Sequence, residues 1–218
     1  MKMTALSPTS IQTYYTCPYQ YYAKYITKEV KFEQNPHAKF GDEVHKNIEN
    51  YLKHGAKLSP LLEPLRHILD KMKTVLVGAE TKIAITPWNT VCNTFFHNDA
   101  YLRCIVDAII SDKGHEHIIA FDWKTGKKRD AQVQHDTIKK CLSVKYPKAK
   151  SITTVFLYLF QGEQDIQEHK PNIPLVELEH KIQTITNAHK SGEFPYNPNG
   201  LCKQWCDVVS CPHNGKQS

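Results

Sequence analysis

Between Tyr101 and Gly126 the chain holds two apolar segments joined by a polar turn, and each segment carries one aspartate where a strand would ordinarily be apolar. Leu102 to Ile110 is rich in β-branched residues, Ser111 to His117 supplies turn chemistry, and Ile118 to Lys124 resumes the strand pattern. This predicts a β-hairpin. With the turn centred between Gly114 and His115, antiparallel pairing sets Asp107 opposite Asp122. The period of two puts Lys124 on the face of Asp122. Two carboxylates side by side in an apolar setting repel each other and are costly unless a cation meets them. A divalent metal would meet that need. The alternative is a solvent-facing aspartate on an edge strand, with the other aspartate paired to Lys124.

The remaining strands and helices follow from periodicity and capping. Ser7-Pro8 reads as an N-cap followed by proline at the first helical position, opening a helix with Ile11, Tyr14, Tyr15, Tyr19 and Tyr22. Six of the eleven tyrosines fall between Tyr14 and Tyr25, where packing is favoured over stacking on unpaired bases. Phe40, Val44, Ile48, Tyr51 and Leu52 mark one stripe of a second helix, with His45 at its edge. A further helix is expected over Leu65 to Leu76, a first strand over Lys82 to Ile85, a helix from Asp130 to Lys145 ended by Pro147, and a last helix between Pro174 and His189. Ser151 to Phe160 is nearly continuously apolar, as in a strand covered on both faces. The order predicts an α/β fold with a mixed central sheet flanked by helices.

At 218 residues the chain suits one domain, 1–218, with a small appendage. The net charge of +6 and pI near 8.8 favour an anionic partner. Lys127, Lys128 and Arg129, directly after the second aspartate strand, are candidate phosphate contacts, against the simpler reading of a solvated basic face. Met1 to Leu6 lacks the apolar run of a signal peptide and no run of eighteen apolar residues occurs, so no membrane partner and a cytoplasmic location are expected. For a virus-encoded chain that means the host cytoplasm. Seven cysteines in a reducing compartment argue against a disulfide framework. Cys202, Cys206 and Cys211 lie close together in a segment poor in apolar residues, and three thiolates need a fourth ligand, for which Cys17 is the best candidate and His213 the lesser one. Cys92, Cys104 and Cys141 sit in core-like segments.

Asp107, followed by Asp122-Trp123-Lys124-Thr125-Gly126, resembles the PD-(D/E)XK nuclease superfamily, in particular its RecB-like branch. Gly41 to His45 resembles the glycine-x-x-x-histidine helix of that branch, whose histidine is a metal ligand. Two departures stand out: Cys104 replaces the usual glycine three residues before the aspartate, and Ile138 replaces the tyrosine of a glutamine-x-x-x-tyrosine pair, with Gln134 or Gln132 as the glutamine.

The resemblance implies a restriction-endonuclease-like core and a Mg²⁺- or Mn²⁺-dependent deoxyribonuclease, an exonuclease more than an endonuclease, acting on single-stranded or duplex DNA ends in recombination, repair or replication. His45, Asp107, Asp122 and the Trp123 carbonyl would hold the metal, with Glu80 as a further candidate. Lys124 and Gln134 would act in the reaction. One early cysteine and a late triplet resemble the iron–sulfur members of the family, such as the AddB nuclease domain and the CRISPR-associated nucleases. There Cys17, Cys202, Cys206 and Cys211 would hold a [4Fe-4S] cluster in an appendage made of 1–30 and 195–218, clamping the two ends of the chain. Zinc is the alternative, since thiolates suit either. A non-catalytic nucleic-acid-binding module, or a subunit working with helicase, recombination or CRISPR-adaptation partners, are the competing functions.

Overall fold

The computed structural model describes residues 4–30 and 35–217. In chain order the elements are α1 (Pro8–Thr16), α2 (Pro18–Tyr21) running into a π-turn at Tyr22–Ile26, α3 (Pro36–His54), a 3₁₀ turn at Pro60–Leu65 and α4 (Arg66–Lys73). Then come β1 (Leu76–Ile85), β2 (Leu102–Ser111), β3 (His117–Lys124), α5 (Gln132–Lys145), β4 (Ser151–Tyr158), β5 (Glu163–His169) and α6 (Val176–Ser191). The chain separates into two compact units, one of residues 34–175 and one formed by 1–33 with 176–218.

The larger unit is built on a five-stranded sheet in the order β1-β2-β3-β4-β5. Only β3 and β4 run parallel, because α5 forms the crossover between them; the other neighbours are antiparallel. This is the mixed sheet with helices that the sequence predicts. The helix expected through Tyr22 breaks at Cys17, whose extended backbone separates α1 from α2, and several ends shift by a residue or two. The largest boundary difference is at the first strand. β1 starts at Leu76 rather than Lys82, since Val77-Gly78-Ala79-Glu80 lacks clean alternation, and the preceding helix stops at Lys73. β5, missed in the sequence, is an edge strand of mostly polar residues whose apolar Ile166 is half exposed, so no apolar pattern announced it.

One face of the sheet is covered by α3 and α4. Val44, Ile48, Tyr51 and Leu52 pack with Leu69 and Met72 against Ala108, Phe121, Trp123 and Val155. Helix α3 begins where the Asn35 side chain accepts from the Ala38 N–H at 2.8 Å, and it ends at Gly55, whose φ of +67° is the left-handed cap that glycine tolerates. The face of α5 that carries Ile138, Cys141 and Leu142 is buried.

In the terminal unit, α1 opens with a reciprocal cap: Ser7 Oγ accepts from the Ser10 N–H at 3.2 Å and Ser10 Oγ accepts from the Ser7 N–H at 2.7 Å. Its tyrosines pack rather than splay. Tyr21 is fully buried, its ring meets Tyr14 edge-on with centroids 5.6 Å apart, and its hydroxyl lies 2.9 Å from His189 Nε2 of α6. Burial pushes the Tyr21 phenol up to about 12.

Ile48 is fully buried in the α3 stripe, so Ile48→Ala is expected to cost about 2–5 kcal/mol in urea denaturation. Ile166→Thr on the exposed edge strand should stay within about 0.5 kcal/mol of the parent protein.

Candidate metal centre and catalytic cluster

Strands β2 and β3 pair from Ser111↔Ile118 to Ala108↔Phe121, and there the ladder stops. The next residues in register are Asp107 and Asp122. Instead of continuing the ladder, Asp107 turns its side chain into the gap: Oδ2 accepts from the Trp123 N–H at 2.6 Å. That satisfies a buried backbone donor and fixes the carboxylate where the strands part.

Two neighbours converge on the same carboxylate. From α3, His45 Nδ1 lies 3.1 Å from Asp107 Oδ1. Gly41, one turn earlier, permits the approach of α3, since a Cβ there would stand only 3.3 Å from Thr125 Oγ1. From β1, Glu80 stands opposite Asp107, between the flanking pairs Ala79↔Ala108 and Thr81↔Val106. Its φ of +50° is uncommon for a residue with a side chain and departs from strand geometry. Ligand atoms of His45, Glu80 and Asp107 all lie within 4.8 Å of one another. Glu80, the secondary candidate in the sequence, therefore belongs to the same cluster as Asp107 and His45.

A second group stands on the Asp122 side. Lys124 Nζ lies 2.7 Å from Asp122 Oδ1 and donates to Gln134 Oε1 at 2.7 Å, while Gln134 Nε2 donates to Asp122 Oδ2. Lysine, glutamine and aspartate close a triangle. Gln132, the competing register, instead bonds Asp136 and Gln167. Beneath Lys124 lies the Phe156 ring, its centroid 4.8 Å from Nζ. That ring stacks in turn on buried His135, with centroids 3.7 Å apart. Sequence reasoning missed Phe156 and His135, because one looks like core in an apolar run and the other is simply the neighbour of Gln134. Ile138 is buried, so the place of the family's tyrosine is taken by core packing. Lys127, Lys128 and Arg129 are exposed beyond β3, with Lys128 Nζ 3.5 Å from the Gln164 carbonyl.

The electrostatics record how costly this grouping is. Burial, then the charge of Asp107, pushes the Asp122 carboxyl up to about 6, against the pull of Lys124 and His45. Glu80 is raised by burial first and by Asp107 and Glu49 next. Burial works to lower His45, but the hydrogen bond and charge of Asp107, helped by Asp122 and the Trp123 carbonyl, overcome it and carry the ring up to about 9. Asp122 Oδ1 is buried and has no aligned hydrogen-bond donor, although Lys124 Nζ is within ion-pair distance. The imidazole of His45 and the carboxylates of Glu80 and Asp107 form a donor set suited to a hard divalent cation, with the under-satisfied Asp122 oxygen nearby.

In the terminal unit, Cys17, Cys202, Cys206 and Cys211 line one cavity, with Tyr196 and His213 among its other walls. Burial raises the Cys206 thiol, and the other three thiols add to that rise. The segment is tied down independently of any metal. Asn197 Nδ2 donates to the Thr16 carbonyl at 2.9 Å, Lys24 meets Asp207 at 2.9 Å, and the buried Asn214 amide donates to the Val208 carbonyl at 2.8 Å.

Comparison with known proteins bears on the family and the fold. No curated protein matches the sequence. Among solved structures, one described as "Crystal structure of SSO0001" is similar, with a TM-score of 0.52 at 16% identity over 98% of this chain and 89% of that one, a likeness of fold. A family model, the PD-(D/E)XK nuclease superfamily, matches residues 5–212. With a match of that length, the chain belongs to the PD-(D/E)XK nuclease superfamily.

Proposed function

We propose that the protein is a metal-dependent deoxyribonuclease that removes nucleotides from DNA ends. The observation that carries this reading is the pair of groups at the parting of β2 and β3: His45, Glu80 and Asp107 on one side, and Asp122, Lys124 and Gln134 on the other. His45, Glu80, Asp107, Asp122 and the Trp123 carbonyl would hold Mg²⁺ or Mn²⁺. Bound there, the ion supplies Lewis-acid stabilisation of charge growing on the phosphoryl oxygens. Lys124, aimed by Asp122 and Gln134, orients the attacking water and offsets charge on the scissile phosphate. Gln134 gives the lysine a second acceptor and itself donates to Asp122, which fixes the direction of the ammonium. Lys127, Lys128 and Arg129 draw the phosphate backbone toward the cluster. A deoxyribonuclease specific for ends leaves covalently closed circles intact while degrading linear DNA.

Asp107→Ala and Lys124→Ala are each expected to slow Mn²⁺-supported cleavage of end-labelled DNA by about a hundredfold or more while leaving DNA binding in place. Full activity in either variant would refute the assignment.

The pH dependence has a definite sign. Asp122, raised to about 6, and His45, raised to about 9, each contribute stability that is present below their unfolded values and is lost as pH rises through the folded ones. The metal-free protein should therefore lose stability from these groups as pH climbs from about 4 to 9. Mn²⁺ at about a hundred times its Kd should restore about 2.7 kcal/mol. Its thermal stabilisation should be larger at pH 8 than at pH 5, because protons compete for the same ligands, and a shift independent of pH would count against those ligands.

For the terminal unit, the proposal is a [4Fe-4S] cluster held by Cys17, Cys202, Cys206 and Cys211, supported by their sharing one cavity. The cluster ties the early and late segments together and contributes stability rather than chemistry. Protein purified without oxygen should be brown, and Cys17→Ala should lose iron, visible absorbance and thermal stability together. Zinc in place of iron would overturn the cluster assignment.

A further inference from the structure

Beyond the point where β3 parts from β2, strands β1 and β2 continue as a two-stranded arm, paired through Thr81↔Val106 to Ile85↔Leu102. One face of this arm is core: Ile83, Ile85, Leu102 and Cys104 are buried. The opposite face carries the pair Lys82↔Ile105, both exposed, and then Arg103. The connection at its tip, residues 86–101, displays two of the most exposed aromatic side chains of the described residues, Trp88 at 74% and Phe96 at 77%.

The Phe96 ring and the backbone turn that carries Trp88 are held in place. Trp88 sits in a tight turn closed by the Thr86 N–H donating to the Thr90 carbonyl at 2.9 Å, with Asn89 left-handed at φ +56°. Phe96 meets Phe95 edge-on with centroids 5.1 Å apart, and the Arg103 guanidinium lies 5.1 Å from the Phe96 centroid and 5.2 Å from that of Phe95. The Tyr101 N–H returns the connection to the Ile85 carbonyl at 3.0 Å.

We infer that this arm is a landing track for an unpaired nucleic-acid strand, with Trp88 and Phe96 stacking on bases while Lys82 and Arg103 meet the phosphates on the way to Asp107. Exposed rings interleaved with cations are what single-strand sites require: each base presents a stacking face and each phosphate an anion. Arg103 stands four residues from Asp107 on the same strand, about 14 Å, so a strand stacked at the tip reaches the carboxylates within a few nucleotides. Ordering of the tip by its own hydrogen bonds lowers the entropy lost on binding. The inference rests on the nuclease reading and adds to it the kind of substrate end that is engaged.

The test is fluorescence anisotropy with the full chain and short fluorescein-labelled single-stranded DNA and RNA oligonucleotides in EDTA, beside a blunt duplex, with Mn²⁺ cleavage measured separately. Trp88→Ala combined with Phe96→Ala should weaken binding of the single-stranded DNA, the RNA or both by about tenfold or more, with duplex binding less affected. Trp88→Phe should keep most of the binding yet abolish the quenching of tryptophan emission on complex formation. Single-strand binding of the double variant within about twofold of the parent, alongside normal parental cleavage, would overturn the track and leave the rings to another partner such as a protein, with the nuclease reading intact. A parent protein that cleaves no DNA with Mn²⁺ or Mg²⁺ yet binds single strands through these rings would sink the nuclease reading and leave the track standing.

Discussion

The larger unit is organised around two aspartates that neighbour each other and are both buried from solvent. Asp122 is buried on the sheet, Asp107 is spent partly on the Trp123 backbone, and Glu80 approaches from the far side in a left-handed conformation. Every group around them reads as a response to that concentration of negative charge. His45 holds its proton, Asp122 tends to take one, and Lys124 is drawn into the cluster. A fold pursuing stability alone would have no use for such a grouping, since buried charges, even when paired, often cost more in desolvation than apolar packing in their place. Strain and repulsion at one place, in an otherwise regular sheet, are the mark of a site kept for binding or chemistry.

The fold supplies this site by a topological device. Three of the four strand pairings run along their partners, but β2 and β3 separate partway, leaving β1 and β2 to continue beyond the fork and β3 to end at Lys124 beside β4. At the fork, backbone groups that would have paired become available to side chains, and elements from both sides of the sheet can reach in. Helix α3 enters over Gly41 and α5 contributes Gln134. Packing of Ile48, Tyr51 and Leu52 below, and of Phe156 on His135, holds these two helices at the distances the polar contacts need.

Much of this was legible in the amino-acid pattern, and the omissions have physical reasons. Asp107, Asp122 and Lys124 could be read because charged residues inside β-branched runs break the expected alternation, and the hairpin turn fixes their register. Glu80 ranked second because it falls ahead of the strand the sequence predicts over Lys82 to Ile85, and its left-handed backbone has no signature in composition. The choice between Gln132 and Gln134 turns on helical phase, which a single sequence leaves free within a residue or two. Strand β5 escaped notice because an edge strand needs few apolar residues, and Phe156 because a ring beneath a lysine looks like any other core aromatic. The exposed rings of the β1–β2 arm were hidden for the opposite reason: aromatic residues in sequence read as core until burial is known.

The central claim is that the fork between β2 and β3 is a seat for a divalent cation. Its most direct test is a crystal grown with MnCl₂ and measured for anomalous scattering at the manganese edge. The expected result is a strong peak within bonding distance of both Asp107 and a second group drawn from His45, Glu80 and Asp122. A map with no peak at the fork under saturating Mn²⁺, or with manganese only on surface carboxylates, would contradict it.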